Sequence, residues 1–126
     1  MKKMLVLAAC LAVLAGCRSL PQVYNVPQHT VALAEGKTMR EAILQGGEGR
    51  RWVMSETAPN VITGRLTLRG HIVEVKIPYT GNSYTIEYAN SQNMRYNAKK
   101  NRIHPKYNQW VRNLDLNISR FAQKSK

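Results

Sequence analysis

Residues 62–88, ITGRLTLRGHIVEVKIPYTGNSYTIEY, decide the fold. Apolar and polar side chains alternate through them, which is the period of a half-buried strand. Two turn signals interrupt the alternation, Arg69-Gly70 and Gly81-Asn82. Taking both as two-residue turns sets Leu68 opposite His71, Leu66 opposite Val73, Gly64 opposite Val75 and Ile62 opposite Ile77. The second turn sets Ile77 opposite Ile86, Val75 opposite Tyr88 and Tyr79 opposite Tyr84. All of these pairs fall on one face. The other face puts Arg65 across from Glu74 and Lys76 across from Glu87, so unlike charges meet on neighbouring strands. A slip of one residue would turn every side chain over, so apolar parity and charge pairing together fix the register.

The segment from Trp52 adds a strand before this meander. A tight Pro59-Asn60 turn sends Val53, Ser55 and Thr57 inward and leaves Trp52, Met54 and Glu56 outside. A loop one residue longer reverses the faces. Trp52 and Met54 are the larger hydrophobes and are expected inside; outside, they would form an apolar patch that asks for a partner.

Two helices flank the strands. Thr38-Met39-Arg40-Glu41 fits a capping box, with Met39, Ala42, Ile43 and Gly46 on one side of the helix it opens. The Gly46-Gly47 pair and Gly49 leave that helix's end open. Pro105 suits the first turn of the last helix, with His104 near its cap. Tyr107, Trp110, Val111, Leu114, Ile118 and Phe121 then make one apolar stripe. Leu116 points away from it, in a row with Arg112 and Arg120. The expected domain, residues 38–126, is α+β in two layers: an antiparallel sheet of three to four strands packed against two helices. Residues 17–37, interrupted by Pro21 and Pro27, read as a tether and ordered lead-in, where Val23, Tyr24 and Val26 could add a short edge strand.

The chain opens with Met1-Lys2-Lys3, a small or apolar run from Met4 to Ala15, and Leu14-Ala15-Gly16-Cys17. That order is an export signal over residues 1–16. The run is shorter than the roughly 18–20 apolar residues that span a bilayer. With a cysteine at the cut, it resembles a bacterial lipoprotein signal carrying a lipobox. The resemblance implies cleavage before Cys17, a diacylglycerol on its thiol and acylation of its new amine. Several chains anchor stably, at about 0.8 kcal/mol per buried methylene. Arg18, where an aspartate would imply inner-membrane retention, implies the periplasmic face of the outer membrane. Ser83 to Leu114 adds a second resemblance, through Tyr84-Thr85-Ile86-Glu87-Tyr88, Ser91-Gln92-Asn93-Met94-Arg95-Tyr96 and Ile103-His104-Pro105-Lys106-Tyr107-Asn108-Gln109-Trp110. Together with the lipobox these are similar to small proteobacterial envelope lipoproteins of uncharacterised function. That resemblance implies a compact α+β domain and an envelope role, and brings no site residues.

The charge is strongly basic, 19 Lys and Arg against 7 Asp and Glu. It is also uneven. Residues 95–126 hold nine of the bases and one acid, Asp115. For an exported chain the expected partners are envelope polyanions, namely lipid headgroups, lipopolysaccharide phosphates, glycan or an acidic protein surface, rather than nucleic acid. A solvated basic face that aids solubility is the plainer alternative.

Catalytic patterns are missing. By the lipoprotein resemblance Cys10 would leave with the signal and Cys17 would carry lipid, which would leave no thiol for a disulfide, a metal or nucleophilic attack. No serine-hydrolase elbow, Ser-x-x-Lys pair or zinc-protease helix occurs, and Gly46-Gly47-Glu48-Gly49 lacks the Lys-Ser/Thr of a phosphate loop. His29 falls in the tether, His71 has inward parity beside a turn, and His104 sits at a helix cap. Glu35, Glu41, Glu48, Glu56 and Asp115 are scattered. No catalytic residue, cofactor or metal is expected.

The polar connection from Ser91 to Pro105 has the most functional character. Its tyrosine, asparagine and basic side chains suit stacking on a sugar and gripping a phosphate or carboxylate. In the alternative, Tyr96 plugs the core and the lysines face water. The expected function is a membrane-anchored, non-catalytic binding or accessory module. Arg95, Lys99, Lys100, Arg102, Lys106, Arg112 and Arg120 would meet an anionic partner. A scaffold recruited through Trp52, Met54 or Leu116 is the second possibility, and an enzyme pairing His71 or His104 with a carboxylate the third.

Overall fold

The computed structural model describes residues 19–125. In chain order the elements are β1 (Val26–Thr30), α1 (Met39–Glu48), β2 (Val53–Ala58), β3 (Val61–Leu68), β4 (His71–Pro78), β5 (Ser83–Gln92) and α2 (Pro105–Ala122). The strands form one antiparallel sheet in the order β1-β5-β4-β3-β2. This is the expected α+β class with five strands instead of three or four. Among the described residues no helix is long and apolar enough to cross a membrane.

The central meander has the register that parity and charge require. Leu68 faces His71, Leu66 faces Val73, Gly64 faces Val75 and Ile62 faces Ile77. Val75 faces Tyr88 and Lys76 faces Glu87, while Tyr79 and Tyr84 bridge next to the turn. Arg65 and Glu74 form an ion pair at 3.3 Å. Arg69 and Gly70 both take positive φ, +51° and +80°, as a two-residue hairpin turn with the twist of its strands demands. The other turn uses a different device: the Thr80 hydroxyl accepts the backbone N–H groups of Asn82 and Ser83 at 3.3 and 3.1 Å.

Strand β2 reconciles the two faces weighed for Trp52. The turn is tight, with Ala58 paired to Val61, yet the register shifts by one between Glu56 and Ala58. That bulge restores the parity of a longer loop. Trp52 is consequently buried, Met54 packs on the core, and Val53 is left 71% exposed. Gly64 makes room for both, since a Cβ there would lie 3.0 Å from the Met54 sulfur and 3.3 Å from the Trp52 ring. No Trp52–Met54 patch is therefore available to recruit a scaffold partner.

The fifth strand comes from the segment read as a tether. β1 pairs with β5 at the sheet edge, where Pro27 is tolerated beside an irregularity in register. Val23, Val26 and Val31 belong to the core, so the packed body starts well before Thr38. Long-range partners hold this lead-in. Asn108 on α2 accepts the Tyr24 N–H at 2.9 Å and donates to the Gln22 carbonyl at 2.8 Å. Val23 N–H donates to Asn101 O at 3.0 Å, and Ile103 N–H to Pro21 O at 3.1 Å.

Both helices cover the same face of the sheet. Thr38 caps α1 by accepting the Glu41 N–H at 3.1 Å, and its hydroxyl donates to the Glu41 carboxylate at 3.1 Å. The buried side of α1, Met39, Ala42, Ile43, Gly46 and Gly47, meets α2 through Gly46. A Cβ on Gly46 would lie 2.7 Å from the Ile118 Cα, so the helices touch backbone to backbone there. Beside that contact, buried Asn117 donates to the Gly46 carbonyl at 2.8 Å, satisfying an acceptor the end of α1 leaves open.

Gly46→Ala should lower the unfolding free energy by roughly 1–3 kcal/mol, because α2's backbone cannot step aside. Gly47→Ala should cost much less. The atoms nearest its new Cβ all belong to the movable Met54 side chain, and alanine is about 1 kcal/mol the better helix former. Urea denaturation checks the pair, and equal losses would show that Gly46 does not set the helix spacing.

Candidate functional site

The charged residues singled out in the sequence do not form one surface. At one end of the sheet lie the β3–β4 turn, the end of β5, the connection 93–104, the start of α2 and residues 19–22. Here Arg95, Lys100 and Arg102 line a cleft of about 360 Å³ with Ser19, Leu20 and Asn97. Arg95 also lines a neighbouring cleft of about 450 Å³ with Ser19, Leu20, Pro21 and Pro105. Lys106 lines a third space with Arg69, His71, His104 and Trp110. Among the described residues, none of Arg95, Lys99, Lys100, Arg102 and Lys106 makes an ion pair.

The connection is well built. Met94 and Ile103 are its fully buried plugs. Tyr96 does not plug the core; it is 42% exposed and stacks on Tyr88 at 4.3 Å between ring centres. Its backbone closes on itself through Asn97 and Arg102, which exchange hydrogen bonds of 2.8 and 3.1 Å. The Asn97 side chain accepts the Lys100 N–H at 3.1 Å, which fixes the turn carrying Lys99 and Lys100. Arg102 has a structural bond as well, donating from Nη1 to the Leu20 carbonyl at 2.8 Å. Arg95 takes a positive φ of +53°. For a side chain with a Cβ that conformation costs on the order of 1 kcal/mol, and the surrounding fold must hold it.

Arg112, Leu116 and Arg120 lie elsewhere. Arg112 covers the Tyr24 ring at 4.5 Å, a cation–π contact that fastens the lead-in. Leu116 is 62% exposed, as the helical wheel requires. Arg120 stands 14 residues beyond Lys106, about 21 Å along the helix.

His104 caps α2, as its place before Pro105 suggested, through Nδ1, which accepts the Lys106 N–H at 3.1 Å. The other two histidines gain partners that spacing alone did not reveal. His71 Nδ1 lies 2.8 Å from the Asn93 carbonyl, and the His71 and His104 ring centres are 5.9 Å apart. Among the described residues no carboxylate joins them; Glu74 is on the opposite face with Arg65. His29, placed in the tether by sequence, is on β1 with Nε2 3.9 Å from Asp115. Asp115 also accepts the Tyr84 hydroxyl, and the Ser119 hydroxyl is 3.1 Å from the same phenol. That cluster joins β1, β5 and α2. Among the described residues no group of three His, Cys, Asp or Glu side chains is placed to hold a metal.

Burial, and then the Asp115 carboxylate, push the Tyr84 hydroxyl well above the ordinary tyrosine value. Burial, and then neighbouring Tyr88 and Tyr96, do the same to Tyr107. The Tyr107 hydroxyl is also buried without a hydrogen-bond partner.

No protein-family model, curated protein or solved structure matches the chain. The export signal, Cys17 and Arg18 lie outside the described residues.

The two tyrosines should separate in their effects. Tyr84→Phe removes a hydrogen bond to a carboxylate and should cost about 1.5–3 kcal/mol, whereas Tyr107→Phe should leave stability unchanged or raised. In the natural protein both phenols keep their protons above pH 10, where the unfolded chain loses them. Stability is thus complete below about pH 10 and falls beyond it, by about 1.4 kcal/mol per pH unit for each tyrosine. Urea melts across alkaline pH, with each Phe variant flattening the fall, check both statements.

Proposed function

We propose that this protein is a lipid-anchored bacterial envelope lipoprotein. It acts as a non-catalytic binding or accessory module at the periplasmic face of the outer membrane. Its cationic end, carried by Arg95, Lys99, Lys100, Arg102 and Lys106, engages an anionic partner. The observation that carries this reading is the position of Arg95, Lys100 and Arg102 around Ser19 and Leu20. Cys17 is three residues before Leu20. Three residues reach at most about 10 Å, close to the screening length of about 8 Å at physiological salt. A lipid on Cys17 would hold these cations at headgroup depth, where each basic side chain near an anionic surface is worth about 1 kcal/mol. Headgroup phosphates of lipid or lipopolysaccharide are the favoured partner; an acidic glycan or protein surface is the alternative a test must distinguish.

The scaffold reading now rests on Leu116 alone, since Trp52 is buried and Met54 half-buried. Leu116→Asp should leave the domain's melting temperature unchanged. Loss of a co-purifying envelope protein in that variant would favour the scaffold over the cationic module.

The unlipidated Cys17→Ala protein should bind vesicles of phosphatidylglycerol and phosphatidylethanolamine, with affinity falling steeply as salt rises. Lys99→Glu with Lys100→Glu should weaken it at least tenfold, about 1.4 kcal/mol, and Lys76→Glu on the open sheet face should not. Binding that ignores salt, or that both changes weaken equally, would overturn the reading.

A further inference from the structure

Between the β3–β4 turn and the start of α2 is a cavity of about 240 Å³, lined by Leu68, Arg69, His71, His104, Lys106 and Trp110. We propose that it is a binding site for a phosphate monoester. Its wall offers two cations, two imidazoles and an indole, and no carboxylate. The volume corresponds to about eight waters at roughly 30 Å³ each, room for a phosphate group and the first atoms of what it is attached to.

In their neutral forms the two imidazoles are held by hydrogen bonds in opposite tautomers. A carbonyl can only accept, so His71 donates from Nδ1 to Asn93 O, and its neutral ring has the lone pair on Nε2. His104 Nδ1 accepts the Lys106 N–H, so its proton is on Nε2. The residues lining the cavity therefore offer the Arg69 fork, the Lys106 ammonium and one imidazole N–H as donors, and the neutral His71 ring offers one nitrogen as acceptor. A carboxylate has two oxygens and no hydrogen to give. Sulfate has oxygens enough but carries no proton near neutral pH. A singly protonated phosphate monoester supplies both, oxygens for the donors and a P–O–H for His71 Nε2.

Arg69 reaches the cavity from the hairpin turn, where it takes a positive φ of +51°. Trp110 is half-buried, with its ring centre 6.3 Å from that of His71, and gives the ligand a flat apolar wall. The site shares Lys106 with the cationic end but none of the residues that line the cleft around Leu20, and it rests on the proposed envelope role only for the source of its phosphate.

The test is calorimetric titration of the full-length protein in detergent with inorganic phosphate, and with sulfate in parallel. Phosphate should bind saturably at one site, at least fivefold tighter than sulfate. Arg69→Gln with Lys106→Gln, both exposed positions, should weaken it at least tenfold, and Lys76→Gln should leave it unchanged. No saturable binding, equal affinity for sulfate, or an equal loss in Lys76→Gln would overturn the proposal. Vesicles of phosphatidic acid that compete with phosphate would identify a lipid headgroup as the source; vesicles that do not compete would identify a soluble monoester. Lys99→Glu with Lys100→Glu should leave the phosphate titration intact. Failure of the cavity is therefore distinguishable from failure of the cationic module, which vesicle binding reads by itself.

Discussion

The backbone contact between Gly46 and Ile118 sets the geometry on which the rest of the structure depends. It fixes how closely the two helices lie, and Asn117 secures it by filling a carbonyl that α1 cannot fill itself. With that spacing fixed, Tyr107, Val111, Leu114 and Ile118 cover the inner face of the sheet. The first turn of α2 then arrives beside the β3–β4 turn, which brings His104 and Lys106 to His71 and Arg69. Opposite requirements meet at the two glycines of α1. Gly46 admits a neighbouring backbone, whereas Gly47 admits the thioether of Met54, which rests on Gly64 from its other side. A helix that is weak by propensity is thereby the one able to pack most closely.

The meander was legible because two independent signals, apolar parity and unlike charges, required one register. The faces of β2 were legible only in part. Residue size placed Trp52 inside, but the bulge that reconciles this with a tight turn has no local signature in Glu56-Thr57-Ala58. Strand β1 was harder still. The segment leading into it is ordered by Asn108 and the backbone of residues 101–103, about 80 positions away, and residues 17–37 contain two prolines, Pro21 and Pro27. In the connection, Tyr96 was the obvious candidate to plug the core. Met94 and Ile103 fill that place because the tight Asn97–Arg102 closure turns both inward and leaves the aromatic ring to stack on Tyr88.

The candidate sites divide in the same way. The run of basic residues was visible as composition, but its division was not: Arg112 is engaged with Tyr24, Arg102 with Leu20, and Arg120 lies near the far end of a helix. The meeting of His71 with His104 was invisible, since the two are 33 positions apart and neither stands beside a carboxylate. Its only trace was indirect. Both stand at element ends, and no local signal shows which ends the fold brings together.

The clamp on residues 20–24 has a consequence for how the chain acquires its structure. Among the described residues the hydrogen bonds that hold this segment lead beyond residue 100, to the carbonyl of Asn101, the side chain of Arg102, the N–H of Ile103 and the amide of Asn108. Closing a loop of about 80 residues becomes favourable only once other contacts have shortened it. A ribosome delivers the early residues first, yet their partners emerge last. The meander and the helix pair can collapse while the opening segment is still extended and open to enzymes that act on linear chain. Residues 20–24 can therefore gain these partners only after residues 101–108 exist, in the last fifth of the chain.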